Sequence, residues 1–267
     1  MKAWLRTFAE RHAFAVAALG LAALLKRFYS NASAEELRFI LAPTSWLTSL
    51  GVDTEFTFRA GEGYLSREQS VLISPACAGV NFLIVAFVSL VLGFSERFGT
   101  LPKRSLWLVS SAAVAYLTTL FVNALRISLS IALAHLATRY SGLTFQGVHR
   151  LLGVFVYLAG LLTLCLTLDL WLSSRGRHAG VGTSFGKSRV LLLALGCYAG
   201  VTLLVPLLRG AGNNPEYWSH AAPVSVLVVV SAALLFAAGR RNWDDGRHAI
   251  RSPEHPERVA SEQVAGG

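Results

Sequence analysis

The sequence predicts an all-α polytopic membrane protein: six transmembrane helices, one or two half-membrane or interfacial helices, and a small extracytoplasmic β-hairpin. Three observations predict it. First, the 267 residues are 54% apolar and only 15% charged, with a mean hydropathy of +0.51, whereas soluble domains carry about a quarter charged residues. Second, the apolar residues gather into runs of roughly 16 to 22, each long enough to cross about 30 Å of hydrocarbon as a helix. Third, the Lys and Arg residues behind the formal charge of +9 fall in short blocks between those runs. That is a topology pattern, not the basic face that a nucleic-acid partner requires. A transmembrane β-barrel needs many alternating segments of about 10 residues, and the chain offers a single candidate hairpin.

Lys2, Arg6 and Arg11 precede the first span, Ala13 to Leu25. Its basic start is like that of a signal peptide, but no small-residue cleavage site follows and Lys26-Arg27 come next, so it reads as a retained helix. The connection 26–78 is long. Within it Leu37 to Leu50 is mildly apolar and broken by Pro43, which suits an interfacial or re-entrant element. Thr54 to Phe58 alternates polar and apolar, Gly61-Glu62-Gly63 supplies turn residues, and Tyr64 to Ile73 pairs back. The expectation is a hairpin over about 54–73, ending at Cys77.

The second span is Gly79 to Phe94, followed by a basic loop, 95–104, and a third span, Leu106 to Val122. Ile127 to Ala137 is apolar but only 11 residues long, short of a crossing, so it is either a half-helix or an extension of the third helix. Leu151 to Leu172, Val190 to Leu208 and Ala221 to Ala238 complete the spans. Residues 1–239 thus form a single membrane-embedded domain. The charges and prolines of 240–267 predict a disordered cytoplasmic tail.

Orientation follows from the basic residues. The N-terminal stretch 1–12, the loops 95–104 and 173–189, and the tail hold 15 of the 24 Lys and Arg residues in less length than the segments on the other side. Positive charge favours the cytoplasm, which puts both termini inside. Cys77, Asn123, Arg126 and His149 then share the outer face of the membrane.

Each of these carries chemistry. Cys77 stands just before a helix that begins near Gly79, where unpaired N–H groups and the positive dipole end favour a thiolate and a developing oxyanion. Asn81, four residues on, is expected on the same helical face, to position the thiol or donate to a substrate carbonyl. Arg126 ends an apolar helix, a costly place for a charge, and its fork of donors suits an oxyanion; Asn123 precedes it on the same face. His149 opens the fourth span beside Arg150 and exchanges protons near neutral pH. His135, in the same outer segment, is the rival base. Cys165 and Cys197 lie mid-span and read as packing. The three Cys match no zinc spacing or disulfide framework, and the chain holds no phosphate loop or His-Glu-x-x-His helix. No metal or cofactor is expected. A Cys, a His and an Arg on one face fit acyl transfer.

The order Pro75-Ala-Cys77-Ala-Gly79-Val-Asn81, then Asn123-Ala-Leu-Arg126-Ile, then His149 with Gly153 resembles the exosortase/archaeosortase family over roughly Val71 to Tyr157. The compact length and the run Cys77 to Leu83 are similar to exosortase K. The resemblance implies a transpeptidase whose nucleophile, transition-state stabiliser and general acid/base are Cys77, Arg126 and His149. Its substrates would be exported proteins ending in a short motif (Pro-Glu-Pro-like in the exosortase branch), a membrane helix and a basic end, transferred to an acceptor in the cell envelope. The chain has fewer full spans than the larger members and no appended periplasmic domain. Two other classes stay open on the residues: a transporter or channel for an anionic solute bound at Arg126, and a non-catalytic envelope assembly protein in which Cys77 is packing.

Overall fold

The computed structural model describes residues 2–68, 71–141, 145–178 and 187–251. In chain order come α1 (Lys2–Tyr29), α2 (Arg38–Val52), three short strands, α3 (Val80–Phe94), α4 (Leu101–Ser141), α5 (Phe145–His178) and α6 (Lys187–Ala199). A π-helical turn, Gly200–Leu204, carries α6 into α7 (Val205–Leu208), and α8 (Pro215–Arg251) closes the described chain. Among the described residues six segments are long and apolar enough to cross a membrane: His12–Tyr29, Pro75–Arg97, Leu101–Leu133, His149–Arg175, Arg189–Leu208 and Tyr217–Ala237. The chain is mostly helical and, by the length and composition of these helices, a multi-pass membrane protein.

The centre of the bundle is α3. Nearly every residue from Val80 to Phe94 is buried, because α1, α4, α5 and α6 pack around it. The outer helices turn large apolar side chains outward, among them Val16, Leu24, Leu117, Phe121, Val226 and Val229. So much exposed apolar surface is foreign to a soluble monomer and normal against lipid. α4 and α5 approach closely at Gly160, where an added Cβ would come within 2.8 Å of Val122.

The segment Ile127 to Ala137 is not a separate half-helix. It continues α4, which runs unbroken for 41 residues, about 60 Å at 1.5 Å per residue, because no Gly or Pro interrupts it from Leu106 to Tyr140. A helix that long exceeds the hydrocarbon thickness, so one end of α4 extends past the apolar layer.

The other half-apolar segment is a short helix, α2, with Pro43 inside it. Its 15 residues span about 22 Å, too little to cross a bilayer. Its buried face is mixed, with Ile40 and Leu41 buried beside polar residues. Thr44, Ser45 and Thr48 are buried, while Phe39, Trp46 and Leu50 are exposed. The Tyr116 hydroxyl of α4 donates to the Phe39 carbonyl at 2.6 Å, and at the other end Gly51 meets Ser128. The two helices therefore run side by side in the same direction.

The expected hairpin has a third strand. β1 (Thr57–Arg59), β2 (Gly63–Ser66) and β3 (Val71–Ile73) form an antiparallel sheet in that order, with Phe58 opposite Tyr64 and Leu65 opposite Leu72. The second arm folds back on itself because Thr54 anchors the turn after β2: its hydroxyl donates to Glu68 at 2.8 Å and pairs with the Ser66 hydroxyl at 2.8 Å. Gly63 has a φ of 124°, and an added Cβ would lie 2.3 Å from the Ile73 carbonyl oxygen, so the residue there must be glycine.

Helix α8 continues to Arg251, into the segment expected to be a tail, and 252–267 lie outside the described residues. At the end of the bundle opposite Cys77, Arg97 and Asp169 form a buried ion pair that ties the end of α3 to α5. The Arg97 guanidinium also lies 5.0 Å from the ring centre of Phe94.

Candidate active site

Cys77 closes a 3₁₀ turn, Pro75–Cys77, between β3 and α3. Gly79 then takes a left-handed conformation, φ 72°, and caps α3. This glycine is forced twice over. A side chain resists that φ, and a Cβ would come within 3.1 Å of Asn123 and 3.3 Å of Thr119. The thiol is half-buried and free, and the Ser74 hydroxyl donates to its sulfur at 3.9 Å.

The turn is held from both sides. The Tyr29 hydroxyl of α1 donates to the Pro75 carbonyl at 3.1 Å, and the Asn123 amide of α4 donates to the Cys77 carbonyl at 2.6 Å. Tyr157, on α5, donates to the Asn123 side-chain oxygen at 2.8 Å. The Tyr157 ring stacks on Phe82 with centres 5.0 Å apart, and the Arg126 guanidinium lies 4.9 Å from the Tyr157 ring centre, a cation–π contact.

Arg126 completes the cluster. It is nine-tenths buried, and one terminal nitrogen lies 3.1 Å from His149 Nε2. It packs over Gly153, where a Cβ would sit 3.5 Å from the guanidinium. Its Nε is buried with no hydrogen-bond partner among the described residues, and no carboxylate there pairs with it. Thr119, Asn123, Arg126 and Ser130 make one buried polar stripe on α4, at helical spacings of four, three and four. In an apolar helix such a stripe faces protein and not lipid.

The structure thus joins Cys77, Asn123, Arg126 and His149 in one cluster and packs Gly79 against it. Two expected members face elsewhere. The left-handed Gly79 breaks helical phase between Cys77 and Asn81, so their four-residue spacing does not put them on one helix face. Asn81 is exposed and accepts a hydrogen bond from Lys26 at 2.7 Å. Arg150 is exposed and donates to Ser219 of α8 at 2.9 Å. His135 sits on α4, and its side chain lies outside the described residues.

Tyr157, Ser130 and Tyr29 were not anticipated from sequence. For Ser130 a signal existed, since it extends the Asn123, Arg126 stripe by one turn; Tyr157 follows His149 and Gly153 at four-residue steps but reads as an ordinary core aromatic. Among the described residues no group of His, Cys, Asp and Glu side chains is placed to hold a metal ion. Chemically, the cluster offers a thiol on a fixed turn, a buried cation with a spare donor, and an imidazole bonded to that cation. In comparisons with protein-family models, curated proteins and solved structures, none matches this chain.

Proposed function

We propose that the chain is a membrane-embedded cysteine transpeptidase. It cleaves C-terminal sorting signals of exported proteins through a Cys77 thioester and passes the acyl group to a cell-envelope acceptor at the outer face of a bacterial inner membrane. One observation carries the reading: Asn123, Tyr157 and Arg126 link the thiol-bearing turn to His149 in an unbroken series of contacts inside a largely apolar bundle. Buried polar groups at such depth are expensive and tend to be functional. The motif resemblance to the exosortase/archaeosortase family supplies the substrate class.

In this reading the Cys77 thiol loses its proton to His149, and the sulfur attacks a peptide carbonyl. The spare Nε–H of Arg126 meets the oxyanion, a donor held in place before charge develops. His149 returns the proton to the leaving amine, and the thioester then passes to the acceptor. Arg126 donates to His149 Nε2, so that lone pair holds either Arg126 or the thiol proton. Deprotonation of Cys77 and loss of the Arg126–His149 hydrogen bond are therefore one exchange, while the Nε–H stays available to the oxyanion.

The test is intact-mass analysis of the purified protein with a tagged substrate. A thioester adduct on Cys77 is expected, absent in Cys77→Ala, with processing lost in Arg126→Ala and His149→Ala. Normal processing by Cys77→Ala sinks the proposal, and an active His149→Ala beside an inactive His135→Ala assigns the base to His135. Arg126, with no carboxylate partner among the described residues, also suits an anion-binding transporter; solute flux in vesicles that survives loss of Cys77 would favour that reading.

A further inference from the structure

His149 has two ring nitrogens, and the geometry decides which carries the proton. A guanidinium has only donors, so the Arg126 contact at 3.1 Å requires Nε2 to accept. On the other side, His149 Nδ1 lies 2.9 Å from the Ser130 hydroxyl oxygen. That hydroxyl already spends its hydrogen on the Arg126 main-chain carbonyl, one turn back on α4, at 2.7 Å. It meets Nδ1 with a lone pair, so Nδ1 carries the proton. Ser130 is fully buried.

We infer that Ser130 is a positioning residue that holds His149 in the Nδ1–H tautomer with Nε2 unprotonated, an inference that rests on His149 being the proton carrier proposed above. Nε2–H would set two donors face to face between His149 and the buried Arg126, a costly arrangement for a guanidinium shielded from solvent. Ser130 and Arg126 share one turn of α4, so the hydroxyl fixes ring and guanidinium together. Of the two nitrogens, Nε2 alone keeps a lone pair able to take a thiol proton. When it does, the S–H bond breaks, an Nε2–H bond forms, the sulfur is left as thiolate, and Nδ1–H stays on Ser130.

The experiment is nitrogen NMR of the full-length protein, labelled with ¹⁵N-histidine, in lipid nanodiscs, with the His149 signals assigned by their loss in His149→Gln. The wild type is expected to show a protonated Nδ1 and a bare Nε2 at His149. In Ser130→Ala the ring loses the bond that holds it against Arg126, so the Nε2–H tautomer should appear beside the Nδ1–H form as the ring turns away from the guanidinium. Ser130→Thr, which keeps the hydroxyl, should show the wild-type signals. A bare Nδ1 in the wild type, or an unchanged tautomer in Ser130→Ala, overturns the inference. A second readout covers catalysis: Ser130→Ala should slow Cys77 thioester formation about tenfold, the worth of one hydrogen bond, with Thr restoring it. If the tautomer follows Ser130 but no thioester forms on Cys77 in any variant, the transpeptidase proposal fails and the tautomer assignment stands. Thermal unfolding of Ser130→Ala within a few degrees of wild type separates either result from misfolding.

Discussion

The side-chain amide of Asn123 donates to the main-chain carbonyl of Cys77 at 2.6 Å. The turn that carries the thiol is therefore set by α4, two helices along the chain from the sheet, as well as by the helix it precedes. Because the Tyr157 hydroxyl orients that amide, α5 reaches Cys77 through the same bond.

Removing the orienting hydroxyl tests this. Tyr157→Phe keeps the ring that stacks on Phe82 and carries Arg126 but leaves the Asn123 side-chain oxygen without its donor. A hydrogen bond of this kind is worth about 0.5–1.5 kcal/mol net, so a drop in the rate of Cys77 acylation of up to about tenfold is expected. Asn123→Ala, which frees the turn itself, should lower it further. Kinetics of Cys77 adduct formation by mass spectrometry measure both, and equal rates in all three proteins contradict the linkage.

Gly79→Ala should damage the same turn from the other side. The left-handed conformation costs a side chain about 1–2 kcal/mol, and the new Cβ presses on Asn123 at 3.1 Å. Loss of thermal stability is expected together with altered reactivity of Cys77 toward a membrane-impermeant maleimide. An unchanged labelling rate would show that the turn tolerates a side chain.

The Arg97–Asp169 pair should behave as a buried ion pair. Both side chains are more than nine-tenths buried, so removing one partner strands the other charge, at about 3–5 kcal/mol. Asp169→Leu and Arg97→Leu should each lower the unfolding temperature strongly, while the double variant recovers much of the loss, since apolar replacement of both partners is often neutral. Additive losses in the double variant would show the two act independently.

The sheet should loosen in acid. The Gly61 N–H donates to the Glu35 carboxylate at 2.6 Å, and that hydrogen bond is the main reason the carboxyl is held below the ordinary glutamate range. A lowered native pKa means the folded state binds the proton less readily than the unfolded one. The contact is therefore intact at neutral pH and lost as pH falls through the native pKa. Exchange of the Gly61 amide, corrected for its intrinsic pH dependence, should rise only at a pH below the range in which an ordinary glutamate titrates. Glu35→Gln should remove that step.

The sequence by itself determined the spans, an apolar segment around Pro43 too interrupted to cross, a β element before Cys77, and the polar residues that border the apolar runs. These follow from hydropathy and periodicity, which are local properties of the chain. It put Asn123 and Arg126 at a helix end, whereas α4 carries them mid-helix. Asn123 and Arg126 were legible as one face of α4 because nothing breaks that helix. Tertiary structure decided what the residues touch. Asn81 lost its expected place because Gly79 resets helical phase, an effect of one φ angle that spacing cannot reveal. Tyr157 gained one because the close approach of α4 and α5 at Gly160 and Val122 brings the α5 face carrying His149, Gly153 and Tyr157 against the Asn123, Arg126, Ser130 stripe. The meeting of two helix faces depends on packing between distant segments, and no one-dimensional pattern encodes it.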